Sequence, residues 1–242
     1  MRRDALIRSW HRLHAWLLPW RCLLCGDAGR ERLDLCAACA GELPRNTTCC
    51  ARCALPLPAP AALCGACQRR PPPWDAAWAP FRYGWPLDRL EARYKFGRDL
   101  AAGRTLAELW RSLPPPSPRP ALILPVPLHR ARLRQRGYNQ ALELARPLGR
   151  TLGVPVRHDL LLRRRATAAQ TELDAAARRR NVRGAFALRE DMALPSHVAL
   201  LDDVMTTGAT LAECARVLRR AGVARVEVWA LARAPQRRPD RS

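Results

Sequence analysis

Apolar positions along this chain fall into two kinds of pattern. Continuous runs of strand length stand at 197–201 (HVALL) and 121–127 (ALILPVP), and both predict short buried strands. WDAAWAPFRYG, Trp74 to Gly84, instead alternates apolar and polar positions as an edge strand does. Helical spacing runs through three other stretches. Leu6, Trp10, Leu13 and Leu17 make one apolar stripe with a basic opposite face, and Pro19 ends it. LDRLEARYKFGRDLAAGRTLAELWRSL, 87–113, predicts one or two helices bent near Gly97. LAECARVLRRAG, 211–222, predicts a helix with Leu211, Cys214 or Ala215, and Leu218 on one face and Gly222 as its stop. The proline clusters RRPPPW, 69–74, and PPPSPRP, 114–120, punctuate the chain as a hinge and a stiff connector.

Cysteine spacing adds a second layer. Eight of the ten cysteines form four Cys-x-x-Cys knuckles: Cys22 and Cys25, Cys36 and Cys39, Cys50 and Cys53, Cys64 and Cys67. The second quartet repeats the first at an offset of 28 residues, with the same ten-residue gap between knuckles. Two such knuckles present four thiolates to one tetrahedral ion and close a Zn²⁺ site with no open position. The Pro-, Gly- and Ala-rich residues between them cannot build a core alone, and metal supplies the missing stability, about 10–16 kcal/mol per site in peptide models. The pattern predicts two structural zinc ribbons ligated by these eight residues. A disulfide framework requires an export signal, and a redox dithiol is the remaining alternative. Cys49 and Cys214 have no partner spacing, and Cys214 reads as a small buried apolar residue.

Composition sets limits. A length of 242 residues allows one medium domain plus a small one, and a formal charge of +21 invites a nucleic-acid partner. Lys95 is the only lysine, however, and Ala, Arg and Pro are abundant, as a GC-rich coding bias would make them, so part of the charge is discounted. No apolar span reaches membrane length. Arginines and histidines interrupt the N-terminal apolar stretch and no small-residue cleavage site follows, so a packing helix is expected there rather than a signal peptide. A cytoplasmic location follows from these readings.

The candidate chemistry lies in LLDDVMTTGAT, 200–210. Asp202 and Asp203 adjoin the apolar run at 197–201, at the carboxyl end of a strand, where ligands collect in open α/β sheets. Thr206, Thr207, Gly208, Ala209 and Thr210 carry no bulk, so backbone N–H groups can close around a phosphate at a helix N-terminus. The acids suit vicinal ribose hydroxyls, and a Mg²⁺ bridging sugar and diphosphate oxygens would lower the repulsion. A sugar 5-phosphate satisfies both halves. The plainer alternative is an Asp-Asp turn followed by a Thr N-cap. PLHRARLRQRGYNQ, 127–140, gathers Arg130, Arg132, Arg134 and Arg136 near a helix start, with Asn139 and Gln140 at its first turn. Arginine forks bind diphosphate oxygens bidentately, so a pyrophosphate is expected here, with Arg130, Arg134, Arg136, Asn139 and Gln140 as its chosen contacts; the plainer alternative is a solvated basic loop.

ALLDDVMTTGATL resembles the phosphoribosyl-pyrophosphate (PRPP) motif of type I phosphoribosyltransferases. LPVPLHRARLRQRGYNQALELA and QTELDAAARRRNVRGAF resemble the ComF family, competence-associated proteins related to the gluconate-utilisation protein GntX. The resemblance covers most of the chain from Cys22 to Ala232. It implies a type I phosphoribosyltransferase fold: an α/β domain with a central, mostly parallel sheet flanked by helices, preceded by a double zinc ribbon. The boundaries expected are an amphipathic helix over 1–20, the ribbons over 21–70, the α/β domain over 71–235 and a disordered basic tail over 236–242. It further implies that Asp202 and Asp203 are catalytic acids holding the ribose hydroxyls, and that the small residues after them hold the 5-phosphate. An arm over 161–186 would close on bound PRPP. Gln170, Thr171, Arg178 and Asn181 match the family pattern best there, and Lys95 aligns with a family lysine that could contact phosphate.

Two functional classes remain open. In one the protein is an enzyme: a nucleophile attacks C1 of PRPP, Mg²⁺-bound pyrophosphate leaves, and the arm excludes water. In the other the fold serves binding, and the protein handles single-stranded DNA alongside other competence proteins, with PRPP or a nucleotide as regulator. Seven arginines against two acids between Arg163 and Arg183 suit either anion.

Overall fold

The computed structural model of the chain describes residues 20–165, 175–189 and 192–235, without the side chains of residues 175, 176, 178 and 179. The expected N-terminal helix, Gln170, Thr171, the side chain of Arg178 and the basic tail lie outside this description.

The cysteine repeat is a repeat of backbone. The N–H of Cys22 donates to Asp27 O at 2.8 Å and that of Gly26 to Cys22 O at 2.9 Å; 28 residues on, Cys50 donates to Leu55 O at 2.9 Å and Ala54 to Cys50 O at 2.7 Å. Gly26 and Ala54, equivalent in the repeat, both have positive φ, 84° and 53°. Each unit then carries a single helical turn, α1 (Ala37–Gly41) and α2 (Gly65–Arg69). One short sequence motif has been folded twice.

The remainder is a parallel sheet with helices on both faces. β1 (Ala76–Trp78) and β2 (Phe81–Arg82) follow one another along β7 (Arg225–Arg233), so the Trp74 to Gly84 stretch is an edge interrupted at Ala79 and Pro80. β7 pairs with β6 (His197–Met205), and β6 with β3 (Leu122–Pro125). Alternation is absent from β6, whose residues Val198 to Leu201 are all buried, as a strand covered on both faces requires. The apolar run predicted a strand ending at Leu201; it continues to Met205 because β7 supplies partners that far, Asp202 opposite Ala230 and Met205 opposite Arg233.

The stretch 87–113 forms two helices, α3 (Leu87–Phe96) and α4 (Leu100–Arg111). Gly97 closes the first, and the Asp99 carboxylate caps the second by accepting from Ala102 N at 3.0 Å. The arginine segment is a helix of its own, α5 (Arg130–Arg136), ended by Gly137 in the left-handed conformation, and α6 (Gln140–Leu152) follows. The arm begins and ends in an antiparallel pair, β4 (Leu161–Arg163) with β5 (Phe186–Leu188), with α7 (Ala175–Val182) before the return strand. α8 (Ala209–Arg220) connects β6 to β7.

Two apolar clusters flank the sheet. α3, α4, α6 and the first ribbon pack on one side with Ala199 and Leu201; α8 and the second ribbon pack on the other with Val198 and Leu200. The neighbouring strands β3 and β6 therefore send their following helices to opposite faces. Such a divergence opens a crevice at the carboxyl ends of the strands, between Val126 and Asp202. Among the described residues no helix is long and apolar enough to cross a membrane.

Candidate functional site

The crevice is a cavity of about 650 Å³. Asp202, Asp203, Thr206 and Thr210 line it from β6 and the start of α8. Lys95 and Phe96 end α3 and Arg98 follows it, Arg132, Gln135 and Arg136 come from α5, Asn139 and Gln140 from the α6 start, Arg163 from the end of β4, and Tyr83 from just after β2. Lys95, Arg98, Arg132, Arg136 and Arg163 thus face two carboxylates, Asp202 and Asp203. The excess of positive charge favours an anionic occupant.

The two acids are not equivalent. Successive strand residues point to opposite faces, and each acid meets a different neighbourhood. Lys95 Nζ lies 3.0 Å from an Asp203 oxygen and 3.1 Å from Glu91 on α3. Burial alone would lower the Lys95 ammonium, but the charges of Asp203 and Glu91 more than reverse this and hold it above its ordinary range. Glu91 is fully buried, and that desolvation, only partly offset by Lys95, lifts its carboxyl from 4.5 to about 7. Asp202 lies on the face of Arg163 and Cys214. Burial first, and the adjacent Asp203 charge second, push its carboxyl well above the usual range.

The turn after β6 is built from backbone. Gly208 has φ +72° and precedes α8, whose first bond runs from Ala212 N to Gly208 O at 2.8 Å. Thr207 Oγ1 accepts from Ala209 N at 3.3 Å. The N–H groups of this first turn lie at the positive end of the helix dipole, beside the cavity. A Cβ on Gly208 would come within 3.0 Å of the Trp74 ring, so both the φ and the space require glycine here.

Helical phase sorts the arginines of α5. Arg132 and Arg136, four residues apart, are half-buried and face the cavity, whereas Arg130 and Arg134 are exposed and do not line it. Burial and then the Arg136 charge push the Arg132 guanidinium down; burial and then Arg132 do the same at Arg163. Such a crowd of like charges is relieved by an anion between them. Asn139 is the N-cap of α6, accepting from Ala141 N at 3.1 Å and donating to Val126 O at 3.0 Å. Gln140 accepts from Arg136 at 3.1 Å, and its buried Nε2 has no hydrogen-bond partner among the described residues. Asn181 sits on α7, with Arg165 donating to its carbonyl at 3.3 Å.

The sequence reading chose Arg130, Arg134 and Arg136 for the pyrophosphate and left out Arg132; the helix instead puts Arg132 in the wall beside Arg136 and turns Arg130 and Arg134 away. Tyr83, Arg98 and Gln135 gave no sequence signal, and Phe96 almost none. Phe96 is the notable one: its ring is 70% exposed at the cavity mouth with the Arg136 guanidinium 5.9 Å from its centroid. An apolar ring after a lysine at a helix end was the only hint available.

Each cysteine quartet is a metal site in geometry. The four Sγ atoms of Cys22, Cys25, Cys36 and Cys39, and those of Cys50, Cys53, Cys64 and Cys67, lie within 4.8 Å of one another, and no cysteine is in a disulfide. Cys25 and Cys36 approach to 3.6 Å, Cys53 and Cys64 to 3.7 Å. A tetrahedron with Zn–S bonds of about 2.3 Å has edges of about 3.8 Å, so the residues fit the ion. Burial raises the Cys22 thiol, but the N–H groups of Cys36, Cys25 and Leu24 outweigh it and bring it to about 6. Its repeat equivalent Cys50 comes to about 7 by the same contest with Cys64, Cys53 and Arg52. Burial first raises Cys39, Cys53 and Cys67, and at Cys25 the lowering by the Asp27 N–H is outweighed, chiefly by hydrogen bonding to Cys22, so one thiol per quartet is lowered by the fold, and a coordinating ion deprotonates thiols itself.

Comparison with known proteins agrees with this geometry. The double zinc ribbon domain family matches residues 13–68, and the two quartets are structural Zn²⁺ sites. Competence protein F of Haemophilus influenzae is 37% identical over 224 residues, covering 89% of this chain and 97% of that protein. DNA utilization protein YhgH of Salmonella typhi is 36% identical over 223 residues, 88% of this chain and 89% of the relative. YhgH of Escherichia coli K12 is 37% identical over 174 residues, 68% and 75% respectively. Identity at this level, running nearly end to end through the first of these relatives, makes the chain a member of the ComF family.

Proposed function

We propose that this chain binds PRPP in the cavity between β3 and β6 and acts as a phosphoribosyltransferase-type protein in DNA uptake. The observation that carries the reading is convergence: an acid pair, Thr206 and Thr210 of the small-residue turn at a helix N-terminus, and paired arginines line one crevice. Asp202 and Asp203 accept from the ribose hydroxyls, the 206–210 turn takes the 5-phosphate, and Arg132 and Arg136 take the diphosphate, with Lys95, Asn139 and Gln140 at its edge. Mg²⁺ suits the oxygens between the acids and the diphosphate. The arm, with Gln170, Arg178 and Asn181, covers the ligand. The names of the relatives, Competence protein F and DNA utilization protein, support DNA uptake as the pathway; work in the cytoplasm beside other competence proteins is part of the same reading. Residues 21–70 serve as the ribbon unit and 71–235 as the ligand-binding unit.

A second reading, a non-catalytic single-stranded DNA-binding module regulated by PRPP or a nucleotide, has one observation in its favour. Exposed Phe96 beside Arg98 and Arg136 offers an aromatic face and phosphate-binding charge at the same mouth. Pyrophosphate release from PRPP, screened across bases, amines and nucleic acid, separates the two. Release with one class of acceptor identifies an enzyme; PRPP or nucleotide binding without release selects the binding module; absence of PRPP binding overturns the first reading, and absence of nucleotide binding as well overturns both.

A further inference from the structure

The second ribbon is joined to the phosphate turn by two side chains that the proposed chemistry does not use. Arg233, at the end of β7, is only 2% exposed. Its guanidinium donates to Cys53 O at 3.0 Å, Met205 O at 3.0 Å, Ala234 O at 2.6 Å and the carbonyl of Thr206. One planar fork therefore ties a knuckle carbonyl to the first residues of the turn. Trp74 makes the second tie. Its indole N–H donates to Arg52 O at 2.6 Å, and its ring lies against Gly208. The knuckle Arg52–Cys53 is gripped from both ends of the turn. Cys50, Cys53, Cys64, Cys67, Met205 and Ala209 also share one apolar cluster. The first ribbon has different neighbours: Arg93 donates to Leu23 O and Arg104 pairs with Asp34 at 2.6 Å, both from α3 and α4.

We infer that the second cysteine quartet sets the shape of the 206–208 turn through Arg233 and Trp74, so that metal in that quartet and a 5-phosphate in the turn are linked. A divalent ion bound by four thiolates leaves a net negative charge, and the buried Arg233 cation is its neighbour. The metal fixes the angle of the Cys50–Cys53 knuckle and hence the two carbonyls that Arg233 and Trp74 use. Loosening the knuckle leaves a buried guanidinium short of an acceptor and frees the turn. Linkage is reciprocal: whatever the metal does for the ligand, the ligand does for the metal. The identity of the ligand rests on the PRPP reading; the linkage of ribbon to turn does not.

The test uses the full chain loaded with zinc. Zinc affinity is measured by competition with a chromophoric chelator, with and without saturating ribose 5-phosphate. One of the two ions should be held more tightly with the sugar phosphate, within the usual range of about 5- to 150-fold, and the other should not change. Arg233→Met, and Trp74→Phe, which removes the indole N–H together with the ring edge that lies against Gly208, should reduce that difference while zinc content stays full. Arg104→Met, which loosens the first ribbon's docking, should leave it intact. Amide hydrogen exchange over 206–210 is followed in parallel without ligand. Faster exchange in Arg233→Met and Cys67→Ser, and not in Cys25→Ser, supports the linkage. Unchanged exchange in Arg233→Met, or equal effects of ribose 5-phosphate on both ions, overturns it. If the wild type binds neither ribose 5-phosphate nor PRPP, the proposed ligand falls, and the exchange result alone decides the linkage.

Discussion

Gly208 carries two constraints at once, positive φ and the Trp74 ring at 3.0 Å from its would-be Cβ. An L side chain at such a φ costs about 1–2 kcal/mol before any clash. Gly208→Val should therefore lower the melting temperature by several degrees and remove binding of ribose 5-phosphate as well as PRPP, read by thermal melting and calorimetry. Glu91 gives a second residue-scale outcome, in pH. Its carboxyl is raised in the fold from 4.5 to about 7, so between these values the folded state holds a proton that the unfolded chain has lost. Stability from this group therefore falls as pH rises through that window. Asp202, raised by burial and by Asp203, acts in the same direction. Glu91→Gln should flatten the decline, and melting temperatures of the two proteins across pH 4.5 to 7 would differ in slope; equal slopes would mean Glu91 titrates normally. Neither constraint was legible beforehand. TTGAT showed where a small residue was wanted, but Trp74 is 134 residues away in sequence and Asp203 lies 108 from Lys95.

At the scale of elements, legibility follows how local the cause is. The cysteine quartets could be read whole because a ligand repeat is a property of spacing, and their hydrogen bonds repeat at the same 28-residue offset. The apolar run of β6 marked a strand, yet its last four residues are strand only because β7 lies beside them. The arginines of α5 show the limit most clearly. Four basic residues at alternate positions look equivalent until the segment is known to be a helix, and then positions 132 and 136 share a face that 130 and 134 do not. Arg132→Ala with Arg136→Ala should weaken PRPP by at least about tenfold to a hundredfold, as expected for losing one charge-assisted hydrogen bond, and should affect ribose 5-phosphate far less. Arg130→Ala with Arg134→Ala should leave PRPP affinity at low salt nearly unchanged. Equal losses in both pairs would mean general charge, not the helix face, attracts the ligand. For the ribbons, metal analysis should find about one zinc per quartet. Cys22→Ser and Cys53→Ser should each lose one; an iron–sulfur spectrum, or metal-free protein that stays folded, would contradict the ribbon account.

Across the whole molecule, the ribbons and the sheet form one packed body in which each ribbon covers a different face. The crevice arises where β3 and β6 part company, and the charge lining it is positive apart from one acid pair. That pair decides the account, because charge and chemistry predict opposite signs for its removal. On Coulomb grounds, deleting two carboxylates beside a phosphorylated ligand strengthens binding. If Asp202 and Asp203 hold ribose hydroxyls, each loss costs roughly 1.5–3 kcal/mol, and affinity falls by about two to four orders of magnitude. Calorimetry of PRPP and Mg²⁺ against the wild type and the Asp202→Asn, Asp203→Asn double variant reads this directly. The account predicts PRPP binding tightened by Mg²⁺ in the wild type and lost in the variant; unchanged or stronger PRPP affinity in the variant would contradict it.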